Sequence, residues 1–141
     1  MILNRLYVRG VLLPSIIAII LTTVLSTIDN NDYKSEWFTA DSVIFMTIVV
    51  SFFHSLIISL LSLTIFLNNK IIETISISTF LSWFLLPMGW ILITVYKTID
   101  HRLNYETGTK DQLVYLITLN LPFVIGLVWT YVIFIRQLNY R

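Results

Sequence analysis

Four stretches of this chain, residues 11–28, 43–67, 75–96 and 113–135, contain no aspartate, glutamate, lysine or arginine. A hydrocarbon layer ~30 Å thick is crossed by ~20 apolar residues rising ~1.5 Å each. The second, third and fourth stretches, of 25, 22 and 23 residues, meet that length outright. The first has 18 residues and reaches it by extending back through Leu6, Tyr7 and Val8. Nine basic and eight acidic side chains are thereby confined to the connections and the ends.

The division excludes a soluble globular domain, a disordered segment and a nucleic-acid-binding protein. Charged residues are 12% of the 141, against about a quarter in soluble domains. The apolar runs are continuous rather than alternating, which excludes a transmembrane β-barrel. The expected fold is an all-α integral membrane protein, one domain over residues 1–141, with four transmembrane helices in a compact antiparallel bundle. Arg5 and Arg9 precede the first apolar run, but no Ala-x-Ala cleavage site follows it, so the run reads as a retained span rather than a signal peptide.

Four spans place both ends on one side with the Asn68–Thr74 connection. That side carries Arg5, Arg9, Lys70, Arg136 and Arg141; the other carries Lys34, Lys97, Arg102 and Lys110. The positive-inside rule then favours cytoplasmic N- and C-termini (N-in/C-in), most clearly at the first helix, with two arginines before it and one lysine after. Abundant isoleucine, with alanine only at Ala18 and Ala40, suggests an AT-rich, bacterial genome and hence the inner membrane.

Faces appear when the spans are turned at 100° per residue. In the second, Thr47, Ser51, His54, Ser55, Ser59 and Ser62 fall within an arc of roughly 140°. Hydroxyls gain nothing by facing acyl chains, so the arc should look into the bundle, toward another subunit or onto water. His54 lies near the midpoint, where an ionisable group is a candidate functional residue; a neutral ring bonded to a neighbouring helix is the plainer expectation. In the third span Ser78, Ser82 and Gly89 form a small-residue stripe suited to close helix packing. Trp83 and Trp90 share a face with Pro87, too deep for the interfacial belt, so their N–H groups should seek partners inside the protein. In the fourth, Thr118, Pro122, Gly126 and Thr130 recur every four residues as a second stripe, with Asn120 on a different face. Ordinary packing is the plainer expectation for His54, Trp83, Trp90 and Asn120; a cavity lined by these four is the alternative.

Between spans, Asp29, Asp32, Glu36, Trp37 and Asp41 make an acidic connection that could dock a basic partner or simply be solvated. Its Asp29-x-Asn31 opening lacks the glycine and final glutamate of a calcium loop. Asp41 is expected to cap the second helix, and Thr109 with Gln112 to form a capping box for the fourth. Residues 97–112 read as the longest connection, where Asp100, His101, Arg102 and Glu106 form no recognisable ligand set or triad.

No cysteine is present, which excludes disulfides and thiolate chemistry. No nucleotide, metal or hydrolase motif occurs, so neither cofactor nor metal is expected. These features favour a non-enzymatic membrane protein that contacts lipid and binds another protein in or beside the bilayer. It could be an immunity protein against a membrane-active toxin, an accessory subunit of a membrane complex, or a self-associating chain. The alternative is a small oligomeric channel or transporter with the second helix lining the pore. A membrane enzyme would need His54, or His101 with Asp100, to be essential.

Overall fold

The computed structural model describes residues 2–30, 39–70, 77–105 and 110–139, and the side chains of 3–30, 39–66, 78–100 and 113–137 among them. All are helical apart from Asn30 and Thr39, at the ends of elements. Helix α1 runs as an α-helix over Ile2–Tyr7, widens to a π-helical segment at Val8–Leu12, and resumes over Leu13–Asp29. Helix α2 is Ala40–Leu61 and tightens into a 3-10 segment at Ser62–Lys70. Helices α3, Ile77–Tyr105, and α4, Lys110–Asn139, are continuous through Pro87 and Pro122.

Four helical spans are long and apolar enough to cross a membrane: Leu3–Asp29, Ala40–Phe66, Ser78–Asp100 and Leu113–Gln137. They contain or closely overlap the charge-free stretches. Two boundaries depart from expectation. The residues after Tyr96 do not form a long connection, because α3 continues to Tyr105 and α4 resumes at Lys110. A helix leaving an apolar layer has no reason to stop at its edge. Thr39, not Asp41, caps α2: its backbone is extended (φ −91°, ψ 162°) and its Oγ1 accepts from the Ser42 N–H at 3.3 Å. Asp41 sits in the first turn, where its charge still complements the helix dipole. Thr109, of the expected capping box, lies outside the described residues.

The π-helical segment has a local cause. Pro14 cannot donate a backbone N–H, and just before it the ladder slips by one residue, with the Leu13 N–H bonding to the Val8 carbonyl.

The helices form a ring. Helix α1 packs against α2 and α4, and α3 against α4 and the 3-10 end of α2. Two apolar cores fill it. One, around Leu6, Val11, Ile65, Trp83, Leu127 and Phe134, lies toward the N-terminal end of α1; the other joins Ala18, Ile58, Ile91 and Phe123. The outward faces stay apolar, with Ile20, Phe45, Leu92 and Trp129 each more than half exposed. A surface of this kind suits hydrocarbon, not water.

Helices α1 and α4 cross in close backbone contact. A Cβ on Gly126 would lie 2.5 Å from Pro14 Cγ and 2.6 Å from the Gly10 carbonyl oxygen. A Cβ on Gly10 would overlap the Thr130 side chain and lie 3.1 Å from the Gly126 carbonyl oxygen. Only glycine at both positions lets the backbones approach so closely.

Candidate functional site

Along the α1–α2 contact, hydroxyls meet in successive rungs. Ser26 Oγ donates to Thr47 Oγ1 at 3.2 Å, and Thr47 donates onward to the Val43 carbonyl at 3.0 Å. Thr22 Oγ1 and Ser51 Oγ are 3.0 Å apart, as Ser15 Oγ and Ser59 Oγ are at 3.2 Å. Thr22 and Ser15 each direct a proton to their own helix, at the Ala18 and Val11 carbonyls, both 2.8 Å away. In those rungs Ser51 and Ser59 must then be the donors, since a hydroxyl has one proton to give. Tyr7 extends the seam, donating to the Ser59 carbonyl at 2.7 Å. Moving up α1 from Ser15 through Thr22 to Ser26 means moving down α2 from Ser59 through Ser51 to Thr47, so the two helices are antiparallel in register.

The arc expected on α2 is therefore turned largely onto α1 of the same chain. Ser62 bonds back to the Ile58 carbonyl at 2.8 Å. Ser55 is 3% exposed, and its Oγ has no hydrogen-bond partner among the described residues. Sequence reasoning overlooked the α1 half of this seam. The signal was available: Ser15, Thr22 and Ser26 are spaced by seven and four residues, which places them on one helical face.

His54 joins three helices. Its Nε2 is 3.0 Å from Asn120 Oδ1 on α4, and its Nδ1 accepts the Trp90 indole N–H from α3 at 3.3 Å. Asn120 Nδ2 donates to the Leu116 carbonyl at 2.8 Å, so its oxygen is the atom turned to the histidine. The Trp90 and His54 rings lie 6.3 Å apart, tilted by 42°. His54 and Asn120 are buried, 8% and 5% exposed. Because α2 and α4 are not adjacent in the ring, the His54–Asn120 bond runs across the bundle.

Trp83 is not part of this cluster. It is fully buried in the other core, its ring centroid 5.7 Å from that of Tyr131 and 5.4 Å from that of Phe134, and its Nε1 has no acceptor among the described residues. Of the conceivable cavity-lining set, His54, Trp90 and Asn120 meet, as bonded neighbours rather than around a cavity.

Gly126 and Thr130 of the α4 stripe face α1, where Thr130 Oγ1 donates to the Gly126 carbonyl at 2.7 Å. Thr118 and Pro122 continue along the edge of that contact, lining a surface groove. The α3 stripe is not packed as one unit. Ser78 is exposed, and Ser82 lends its backbone carbonyl to Thr64 Oγ1 at 2.6 Å. A Cβ on Gly89 would meet nothing within 4 Å. Asp29 and Asp41, at the ends of α1 and α2, are exposed. Asp32, Glu36 and Trp37 lie outside the described residues, as do the side chains of His101, Arg102 and Glu106. Among the described residues no three of His, Cys, Asp and Glu gather as a metal-binding group.

Among the described residues, apolar grooves open on the outer surface at two of the helix pairs. One, of about 580 Å³, runs between α1 and α4 with Arg9 and Trp129 among its lining residues. The other, of about 610 Å³, lies between α3 and α4, with Gly89 flanked by Leu85, Met88 and Leu92.

No protein-family model matches the chain, and neither a curated protein nor a solved structure matches it.

Proposed function

We propose that this chain is a non-enzymatic, multi-pass membrane protein of the bacterial inner membrane, with both termini cytoplasmic, that works by binding another protein within the bilayer. The observation carrying this reading is the α3–α4 groove, where Gly89 leaves bare helix backbone open to the surroundings. Small residues at a lipid-facing position allow a second transmembrane helix to approach closely, and van der Waals packing of that kind drives association where hydrophobicity cannot. An immunity protein that intercepts a membrane-active toxin and an accessory subunit of a larger complex both fit this mode. A channel lined by α2 is less well supported, because Thr47, Ser51 and Ser59 already bond to α1 within one chain.

The test is purification of the protein from its native membrane in mild detergent, comparing the wild type with Gly89→Leu. Loss of a stoichiometric partner in the variant, with helicity kept and thermal stability equal to or above that of the wild type, is the expected result. A partner retained in full by Gly89→Leu would remove the groove as its binding face. A monomer with no partner, or a conducting oligomer, would overturn the reading itself.

A further inference from the structure

We propose that the α1–α4 groove is a binding site for one anionic phospholipid, its headgroup phosphate held by Arg9 and one acyl chain lying along the groove. The proposal rests on the membrane placement argued above, but not on the partner-binding groove between α3 and α4.

The two ends of the groove differ in chemistry. Arg9 is exposed, precedes the charge-free run 11–28, and has no carboxylate partner among the described residues. Beyond it the lining is apolar through Leu13, Ile17 and Leu21 on α1 and through Ile117, Leu121 and Ile125 on α4. Pro14 and Gly126, drawn together at the helix crossing, line the groove between these two rows. From Arg9 to Leu21 is twelve residues, a rise of ~18 Å, close to the ~15 Å hydrocarbon depth of one leaflet. The groove therefore has the length of one acyl chain, with a cation where that chain's headgroup would lie.

Charge selects the occupant. Arg5 lies one turn before Arg9, and Arg136 is in the last turn of α4, so the described charged side chains at this end are cationic. A second copy of the chain would bring its own arginines to the same level and be repelled, whereas an anionic headgroup is attracted. Arginine can also reach upward along its aliphatic stem, keeping the guanidinium at headgroup height while the stem covers apolar surface. Basic pockets between transmembrane helices on the cytoplasmic side are a known means of recognising anionic lipid.

The experiment uses the full chain reconstituted into phosphatidylcholine vesicles with and without phosphatidylglycerol. Co-flotation and resistance to alkaline extraction first establish membrane insertion; failure there would sink the membrane reading rather than the lipid site. Native mass spectrometry after gentle detergent release then compares retained lipid. The expected result is a one-to-one phosphatidylglycerol adduct in preference to phosphatidylcholine. Arg9→Gln should lower that preference about fivefold, the factor one basic residue contributes near an anionic surface. Ile17→Trp, which fills the groove from an exposed position, should abolish the adduct while leaving Arg9 in place. Equal retention of the two lipids, or a preference unmoved by Arg9→Gln, overturns the proposal. So does a dimer that replaces the lipid adduct and disappears in Ile17→Trp, since that assigns the groove to a second copy.

Discussion

His54 accepts the indole N–H of Trp90 on Nδ1 at 3.3 Å, and that contact determines which ring nitrogen carries the proton. Tryptophan can only donate, so Nδ1 must be bare and Nε2 protonated, donating to Asn120 Oδ1 at 3.0 Å. Every polar position of the imidazole is then used, and the ring is held neutral by geometry. Nitrogen-15 NMR of histidine-labelled protein in detergent should show His54 as the neutral Nε2–H tautomer.

Removing Asn120 leaves that Nε2–H buried without an acceptor. Asn120→Leu is expected to destabilise the protein by about 1–3 kcal/mol, the cost of an unpaired buried donor. Coupling within a membrane bundle is smaller, so the cycle of His54→Leu, Asn120→Leu and the double variant should give about 0.6–1.7 kcal/mol. Reversible unfolding in mixed micelles measures both quantities. Strict additivity would mean that the cross-bundle bond contributes nothing.

Ser55 sits on α2 between the Ser51 and Ser59 rungs, and the register sets it opposite Ala18, which has no hydroxyl to offer. Ser55→Ala therefore removes a buried polar atom that has no partner among the described residues, and should be neutral or stabilising by up to about 1 kcal/mol. Ser51→Ala removes a bonded hydroxyl at the neighbouring rung and should destabilise by about 0.6 kcal/mol. The sign difference between these two otherwise identical substitutions, read from thermal unfolding, is the check.

Glycines on two helices should respond oppositely to a methyl group. At Gly126 the added Cβ meets Pro14 and the Gly10 carbonyl oxygen, so Gly126→Ala must push α1 and α4 apart, at a cost of about 1–3 kcal/mol. At Gly89 it meets nothing within 4 Å, and Gly89→Ala should gain about 0.5–1 kcal/mol from reduced backbone freedom. Equal effects at the two sites would contradict the close α1–α4 crossing.

Tyr7 separates hydrogen bonding from packing at one residue. Tyr7→Phe loses the 2.7 Å bond to the Ser59 carbonyl but keeps the ring, whose centroid lies 5.3 Å from that of Phe66. The expected loss is about 1 kcal/mol, with Tyr7→Ala costing at least twice as much because the ring contact goes too. Denaturant titration of the pair distinguishes the two contributions.

The four spans could be read from the chain alone, because ~20 uncharged residues in a row have few other solutions. The 3.6-residue repeat likewise determined which side chains share a face: Thr47 with Ser51 and Ser59, and Gly126 with Thr130. What faces each stripe was a different matter. Periodicity describes angles about one helix axis and contains nothing about the rotation of that helix against its neighbours. That rotation is decided by how close two backbones can come and which polar atoms then meet. It turned the α2 hydroxyls onto Ser15, Thr22 and Ser26, and seated Gly126 on Gly10 and Pro14. It also brought Trp90 to His54 and carried Trp83, seven residues earlier on the same helix, into a separate core. Nothing in the local sequence distinguishes those two tryptophans; only the assembled helices do.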